Sequence, residues 1–133
     1  MLPALEDIEE TFAFLEEWEE RYAYLLDLAK KMPPLPDNYK TDDYFVPGCV
    51  SRVWMVPEIE NNRLFFKADS DAILVRGLIA ILVAGYNGKT REEIAGFDIE
   101  AAFKRMGLEG HLSPNRRNGF FSLVGRIRQL AGA

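Results

Sequence analysis

Val50-Ser51-Arg52-Val53-Trp54-Met55-Val56-Pro57-Glu58-Ile59-Glu60-Asn61-Asn62-Arg63-Leu64-Phe65-Phe66-Lys67-Ala68 is the stretch that decides the fold. Val50 to Val56 is rich in β-branched and aromatic residues, which predicts a strand. Pro57 is expected to close it, because proline brings no amide to a sheet ladder. Asn61-Asn62 is a turn signal, and Arg63 to Ala68 reads as a second strand. The two make a hairpin. A hairpin alone is marginal in water, so helices or a third strand must cover one of its faces.

Helical patterns lie on both sides. Leu5, Ile8, Phe12 and Leu15 fall at helical spacing, with Glu6, Asp7, Glu9, Glu10 and Glu16 on the opposite face. A second phase runs through Trp18, Tyr22, Leu25, Ala29 and Met32. Residues 3–32 therefore form two consecutive amphipathic helices or one bent one. The aromatic residues Phe12, Phe14, Trp18, Tyr22 and Tyr24 are most simply core. Pro33-Pro34-Leu35-Pro36 ends this part, since proline disfavours helix in the residue before it.

After the hairpin, Ser70 is expected to cap a helix over Asp71–Tyr86, with Asp71 in its first turn. That helix is apolar almost all round, so it is central. Asn87-Gly88 terminates it. Thr90-Arg91-Glu92-Glu93 has the form of a capping box. Asp98 opens a further helix that Gly107 ends, and Ser113-Pro114 opens a last one running towards Leu130. The order helices, hairpin, helices predicts an α+β fold with a small antiparallel sheet packed against N- and C-terminal helices. No linker divides the chain, so residues 1–133 are expected to be a single domain.

A chain of 133 residues buries roughly two-thirds of its unfolded surface and can hold a core without disulfides or metal. The net charge of −5 argues against non-specific nucleic-acid binding. Charge is uneven: residues 1–20 carry eight acids and no base, whereas residues 110–133 carry Arg116, Arg117, Arg126 and Arg128 and no acid. That asymmetry reads as solvated helix faces or as two poles for protein docking. The acidic N-terminus does not resemble a secretory signal, and the longest apolar stretch, Ala72 to Tyr86, is too short to span a bilayer. A cytoplasmic protein with no membrane association is expected.

Chemistry is confined to few residues. Cys49 is the only cysteine and His111 the only histidine. One thiol forms no intramolecular disulfide and no cysteine-only metal site, and no CxxC, HxxxH or phosphate-loop spacing occurs. No metal and no bound cofactor are expected. A lone cysteine is often a small buried hydrophobe. This one follows Pro47-Gly48, a turn at which backbone can approach another surface. A pairing of Cys49 with His111 in a small thiol enzyme remains a second reading, and a binding module with an inert Cys49 a third.

Gly48-Cys49-Val50-Ser51-Arg52-Val53-Trp54 resembles the SufE family of sulfur acceptors, whose hallmark looks like G-C-x-S-x-V-W. Three further blocks resemble the family in the same order. They are Trp18-Glu19-Glu20-Arg21-Tyr22 through Leu35-Pro36, Ser70-Asp71-Ala72 through Arg76-Gly77-Leu78, and His111-Leu112-Ser113-Pro114-Asn115-Arg116-Arg117-Asn118-Gly119. Together they cover most of residues 18–125.

The resemblance implies an α+β fold shared with the IscU-type scaffolds, and a protein that takes persulfide sulfur from a pyridoxal-phosphate-dependent cysteine desulfurase of SufS or CsdA type. It implies stimulation of that desulfurase and delivery of sulfur to a downstream cluster scaffold. On this likeness Cys49 is the persulfide acceptor, and Arg116 and Asp71 match positions on the desulfurase-facing surface. Arg117 falls where the family varies and receives no role. The metal ligands of the IscU-type scaffolds are missing from this chain. The sequence sets no oligomeric state and leaves a homodimer open. It does not distinguish SufE from its close CsdE-type paralogue.

Overall fold

The computed structural model describes residues 2–47, 51–108, 110 and 112–132. The sheet is antiparallel, as the hairpin requires. β1 (Val53–Glu60) pairs with β2 (Arg63–Ser70) from Val53 opposite Ser70 to Glu60 opposite Arg63. Asn61 and Asn62 both have positive φ, 52° and 64°, the geometry that a two-residue hairpin turn demands and that asparagine tolerates. A third strand, β3 (Lys89–Thr90), pairs with the start of β2 and gives the sheet the order β1-β2-β3. Two residues carry no readable period, so this strand is invisible in the sequence.

Pro57 does not close β1, which runs on to Glu60. Val46 N–H donates to the Val53 carbonyl at 2.9 Å, and Met55 N–H donates to the Tyr44 carbonyl at 2.9 Å. Those odd-numbered residues of β1 therefore direct their backbone groups away from β2. Pro57 continues that alternation, so its missing amide lies on the outer edge and costs the hairpin no ladder bond.

Helices pack on the face formed by Val53, Met55, Leu64, Phe66 and Ala68, all buried. α1 (Leu5–Phe14) and α2 (Trp18–Lys31) precede the sheet; α3 (Ile73–Tyr86), α4 (Arg91–Gly96), α5 (Ile99–Arg105) and α6 (Pro114–Gly132) follow it. α3 is central, and Leu78 through Leu82 are almost without exposure. It meets α2 at Gly77, where a Cβ would stand 2.4 Å from the Leu25 carbonyl oxygen. The two helices approach closely because that residue has no side chain.

The helix ends hold one correction. Ser70 is the last residue of β2 rather than the cap of α3, which begins at Ile73 after Ala72. Its hydroxyl donates to the Arg52 carbonyl at 2.7 Å and accepts from Ala72 N–H at 3.2 Å. Asp71 accordingly lies ahead of the first turn. The other caps agree with expectation. Thr90 and Glu93 form a reciprocal capping box, and the Thr90 amide holds the Glu93 carboxyl below the ordinary range. Asp98 Oδ1 accepts from Ala101 N–H at 3.0 Å, and Ser113 Oγ from Arg116 N–H at 3.3 Å.

Among the aromatic residues expected in the core, Phe12 is fully buried. Phe14 is 87% exposed and Tyr22 is exposed as well. Phe14 lies about 200° around α1 from Phe12, which turns it away from the buried stripe of Leu5, Ile8 and Phe12.

Candidate functional site

Cys49 and its neighbours Gly48 and Val50 lie outside the described residues, as does His111. The arms that carry Cys49 are described. The incoming arm ends in a short antiparallel pairing in which Phe45 stands opposite Trp54, flanked by the Val46–Val53 and Tyr44–Met55 hydrogen bonds. Residues 47–52 join the two sides of that ladder, so both ends of the segment are fastened to one place.

The outgoing arm is held by the end of β2. Arg52 N–H donates to Asp71 Oδ1 at 3.1 Å, and its carbonyl accepts from Asp71 N–H at 3.3 Å and from the Ser70 hydroxyl. Asp71 was expected on a partner-facing surface. It is exposed, and its carboxylate is also the clamp on the residue that follows Ser51. This contact joins residues distant in sequence and has no sequence signal.

Ser51 opens onto a cavity of about 250 Å³ between α3 and the start of α6. Val75, Leu78, Phe120 and Leu123 give it apolar walls, whereas Ser51, Ser113, Asn115 and Arg116 supply polar groups. Arg116 sits in the first turn of α6, held by the Ser113 cap, and is exposed. The fold thus brings Ser51 and Arg116 to one cavity, while Asp71 holds Arg52, the residue after Ser51. Ser51 and Asn115 are lining residues that sequence reasoning did not single out. Ser51 was visible only as a letter of the hallmark run.

Among the described residues no cluster of three or more His, Cys, Asp or Glu side chains is placed to hold a metal ion. No helix there is long and apolar enough to cross a membrane.

The family described as "SufE: Fe-S metabolism associated domain" matches residues 6–131. The chain belongs to the SufE family. A SufE-like protein of Rhizobium etli is 42% identical, with 98% of this chain and 90% of the relative covered. A SufE-like protein of Rhizobium meliloti is 41% identical, covering 98% and 96%. Both carry names that call them uncharacterized. The solution structure of a hypothetical protein from Thermus thermophilus superposes with a TM-score of 0.77 at 23% identity, over 99% of this chain and 96% of that one. At that identity the likeness bears on fold, and it agrees with the α+β architecture of this SufE-family chain. The family ties the chain to Fe–S metabolism.

Proposed function

We propose that this SufE-family protein is a sulfur acceptor that carries sulfane sulfur on Cys49. The observation that carries the reading is that the chain's one thiol falls within the segment 47–52, which the fold fastens at both ends beside a cavity shared with Arg116. A persulfide on the catalytic cysteine of a pyridoxal-phosphate-dependent desulfurase, of SufS or CsdA type, supplies the sulfur. The Cys49 thiolate attacks the terminal sulfur of that persulfide. A new S–S bond forms, the donor S–S bond breaks, and the donor cysteine leaves as a thiolate. The exchange is electron-balanced and needs no added oxidant, cofactor or metal. Thiol pKa values near ~8.5 leave a few per cent thiolate at neutral pH, enough for a docked transfer. Removing the persulfide this way frees the desulfurase for another turnover, which is how the acceptor stimulates it. A cluster scaffold is the onward recipient. We further infer one domain over residues 1–133 and a cytoplasmic location, where a thiol carrier stays reduced between transfers.

Intact-mass spectrometry after incubation with desulfurase and cysteine tests the proposal. The protein should gain about 32 Da per sulfur atom, removable by a reductant. An unchanged mass beside an active desulfurase rejects it.

Arg116 is the docking contact on this reading. Its guanidinium suits a carboxylate-bearing partner and can pair bidentately. Arg116→Ala should weaken desulfurase binding by ~1–2 kcal/mol, about five- to thirty-fold, with the loss larger at low salt. Calorimetric titration at two salt concentrations reads this directly. Equal affinities for mutant and wild type at both would remove Arg116 from the interface.

A second reading draws on the cavity. Its polar lining residues Ser51, Ser113 and Arg116 could receive a small electrophilic substrate. A thiol enzyme using Cys49 and His111 would need such a site. If His111 is only structural, His111→Gln leaves sulfur acceptance within a few-fold of wild type. A general base is worth roughly 10²–10⁴-fold, so a loss of that size in a folded variant would favour the enzyme.

A further inference from the structure

One charged cluster stands outside the proposed chemistry. Asp69 is a buried carboxylate, its side chain 7% exposed, at the inner end of β2. Arg76 of α3 brings its Nε to 2.8 Å from Asp69 Oδ1, and the Ser70 amide donates to the same oxygen at 2.8 Å. Lys40 reaches the other oxygen, Oδ2, at 3.5 Å. Its Nζ also lies 3.5 Å from Asp37 Oδ1 and 5.9 Å from the centre of the Trp54 ring. Trp54 is Asp69's partner across the β1–β2 ladder and Phe45's partner on the outer side.

Lys40 belongs to the incoming arm of the Cys49 segment. From Lys40 the chain passes through Tyr44 N–H to Thr41 carbonyl and Phe45 N–H to Asp42 carbonyl, successive turns with little slack, and reaches Val46. The consecutive residues Asp69, Ser70 and Asp71 therefore grip both arms. Asp69 holds the incoming one through Lys40; Ser70 and Asp71 hold the outgoing one through Arg52.

The geometry points to Lys40 as a positioning residue: through Asp69 and the Trp54 ring it fixes the incoming arm, and so sets the pose in which Cys49 meets the donor persulfide. This rests on the acceptor reading. Arg76 keeps Asp69 paired when Lys40 is lost, so the buried charge is not orphaned and the fold survives. What is lost is orientation, to which reaction rates are steeply sensitive, as a misplacement of ~1 Å can cost about 10²-fold.

The test compares wild type with Lys40→Met, which keeps the stem without the charge, and Lys40→Arg, which keeps the cation. Sulfur loading is followed by quenched intact mass across a range of acceptor concentrations. Alkylation of Cys49 by iodoacetamide, without desulfurase, is followed in parallel. Lys40→Met should lower the maximal loading rate by about tenfold or more, with the half-saturating concentration within about twofold of wild type. Lys40→Arg should restore the rate to within about threefold. A freed arm offers the thiol in more poses, so alkylation of Lys40→Met should quicken about threefold or more, and that of Lys40→Arg should not.

A maximal rate unchanged in Lys40→Met overturns the assignment. So does a loss carried by the half-saturating concentration, which would make Lys40 a partner contact, and so does failure of arginine to rescue. If wild type accepts no sulfur from an active desulfurase, the acceptor reading falls, and the alkylation rates alone decide whether Lys40 positions the segment. Should Lys40→Met not fold, Lys40→Gln is measured against the same criteria.

Discussion

Cys49→Ser is expected to abolish sulfur loading altogether: no mass increments appear after incubation with desulfurase and cysteine, under conditions that load the wild type. The chain has no other thiol to receive the atom. A serine hydroxyl is far less ionised and does not take over sulfur exchange, which proceeds by thiolate attack on sulfur. Docking is a separate property. On the proposed reading it rests on surface groups such as Arg116 and Asp71, so the serine variant should still bind the desulfurase with near-wild-type affinity. Binding without acceptance makes it a dead-end competitor: added in excess, it should suppress the stimulation that wild type produces. Desulfurase turnover with and without the variant reads both consequences. Stimulation that survives loss of the thiol would instead make this SufE-family chain a binding module, with Cys49 a bystander.

The parts of the fold that sequence made legible share a cause: the signal is local. Asn61-Asn62 announces its turn because two successive positive-φ residues have few competitors. Thr90 and Glu93 announce their capping box because both partners lie within one turn. Misreadings arose where a local pattern served a distant partner. Ser70-Asp71 has the form of a helix cap, yet both residues are recruited by Arg52. Pro57 has the form of a strand stop, yet whether its missing amide matters depends on which edge of β1 it faces, and no strand states that in its own sequence. Phe14, Trp18 and Tyr22 fit one helical period, yet α1 ends at Phe14 and α2 starts afresh at Trp18.

The candidate site divides the same way. Cys49 was legible by scarcity and by its hallmark run, and Arg116 by its block after the Ser113-Pro114 cap. The cavity that joins Ser51 to Arg116 was not, because its walls come from three separated segments. Nor was the Lys40–Asp69–Arg76 cluster, whose members read singly as a loop cation, a strand acid and a helix cation. Buried charges are costly unless paired, so a carboxylate in a strand was a clue to a partner. It named none.

Gly77→Ala is expected to destabilise the protein, and Gly125→Ala to leave it equal or more stable, although both replace a helical glycine with the best helix former. Intrinsic propensity favours alanine by about 1 kcal/mol at each position. The surroundings decide the sign. At Gly125, in α6, a Cβ would meet nothing within 4 Å, so the propensity gain stands, together with a smaller entropy loss on folding. At Gly77 the same atom would lie 2.4 Å from the Leu25 carbonyl oxygen, 2.9 Å from its carbon and 3.2 Å from its Cβ. Two of those atoms are α2 backbone, which cannot rotate aside as a side-chain tip could. Relief requires α2 and α3 to separate along a contact that includes the buried Leu25, Leu28 and Ala29. Overpacking costs about 1–3 kcal/mol, sometimes more, and a clash with backbone this close belongs at the upper end, about 3 kcal/mol, which leaves a net loss of about 2 kcal/mol after the propensity gain. A melting temperature lower by roughly 6–10 °C should result, at about 3–5 °C per kcal/mol for a domain of this size. Thermal and urea unfolding followed by circular dichroism measure both variants. A Gly77→Ala protein as stable as wild type would mean that the two helices part without cost, and that the close approach at Leu25 is not what holds α3 in the centre of the fold.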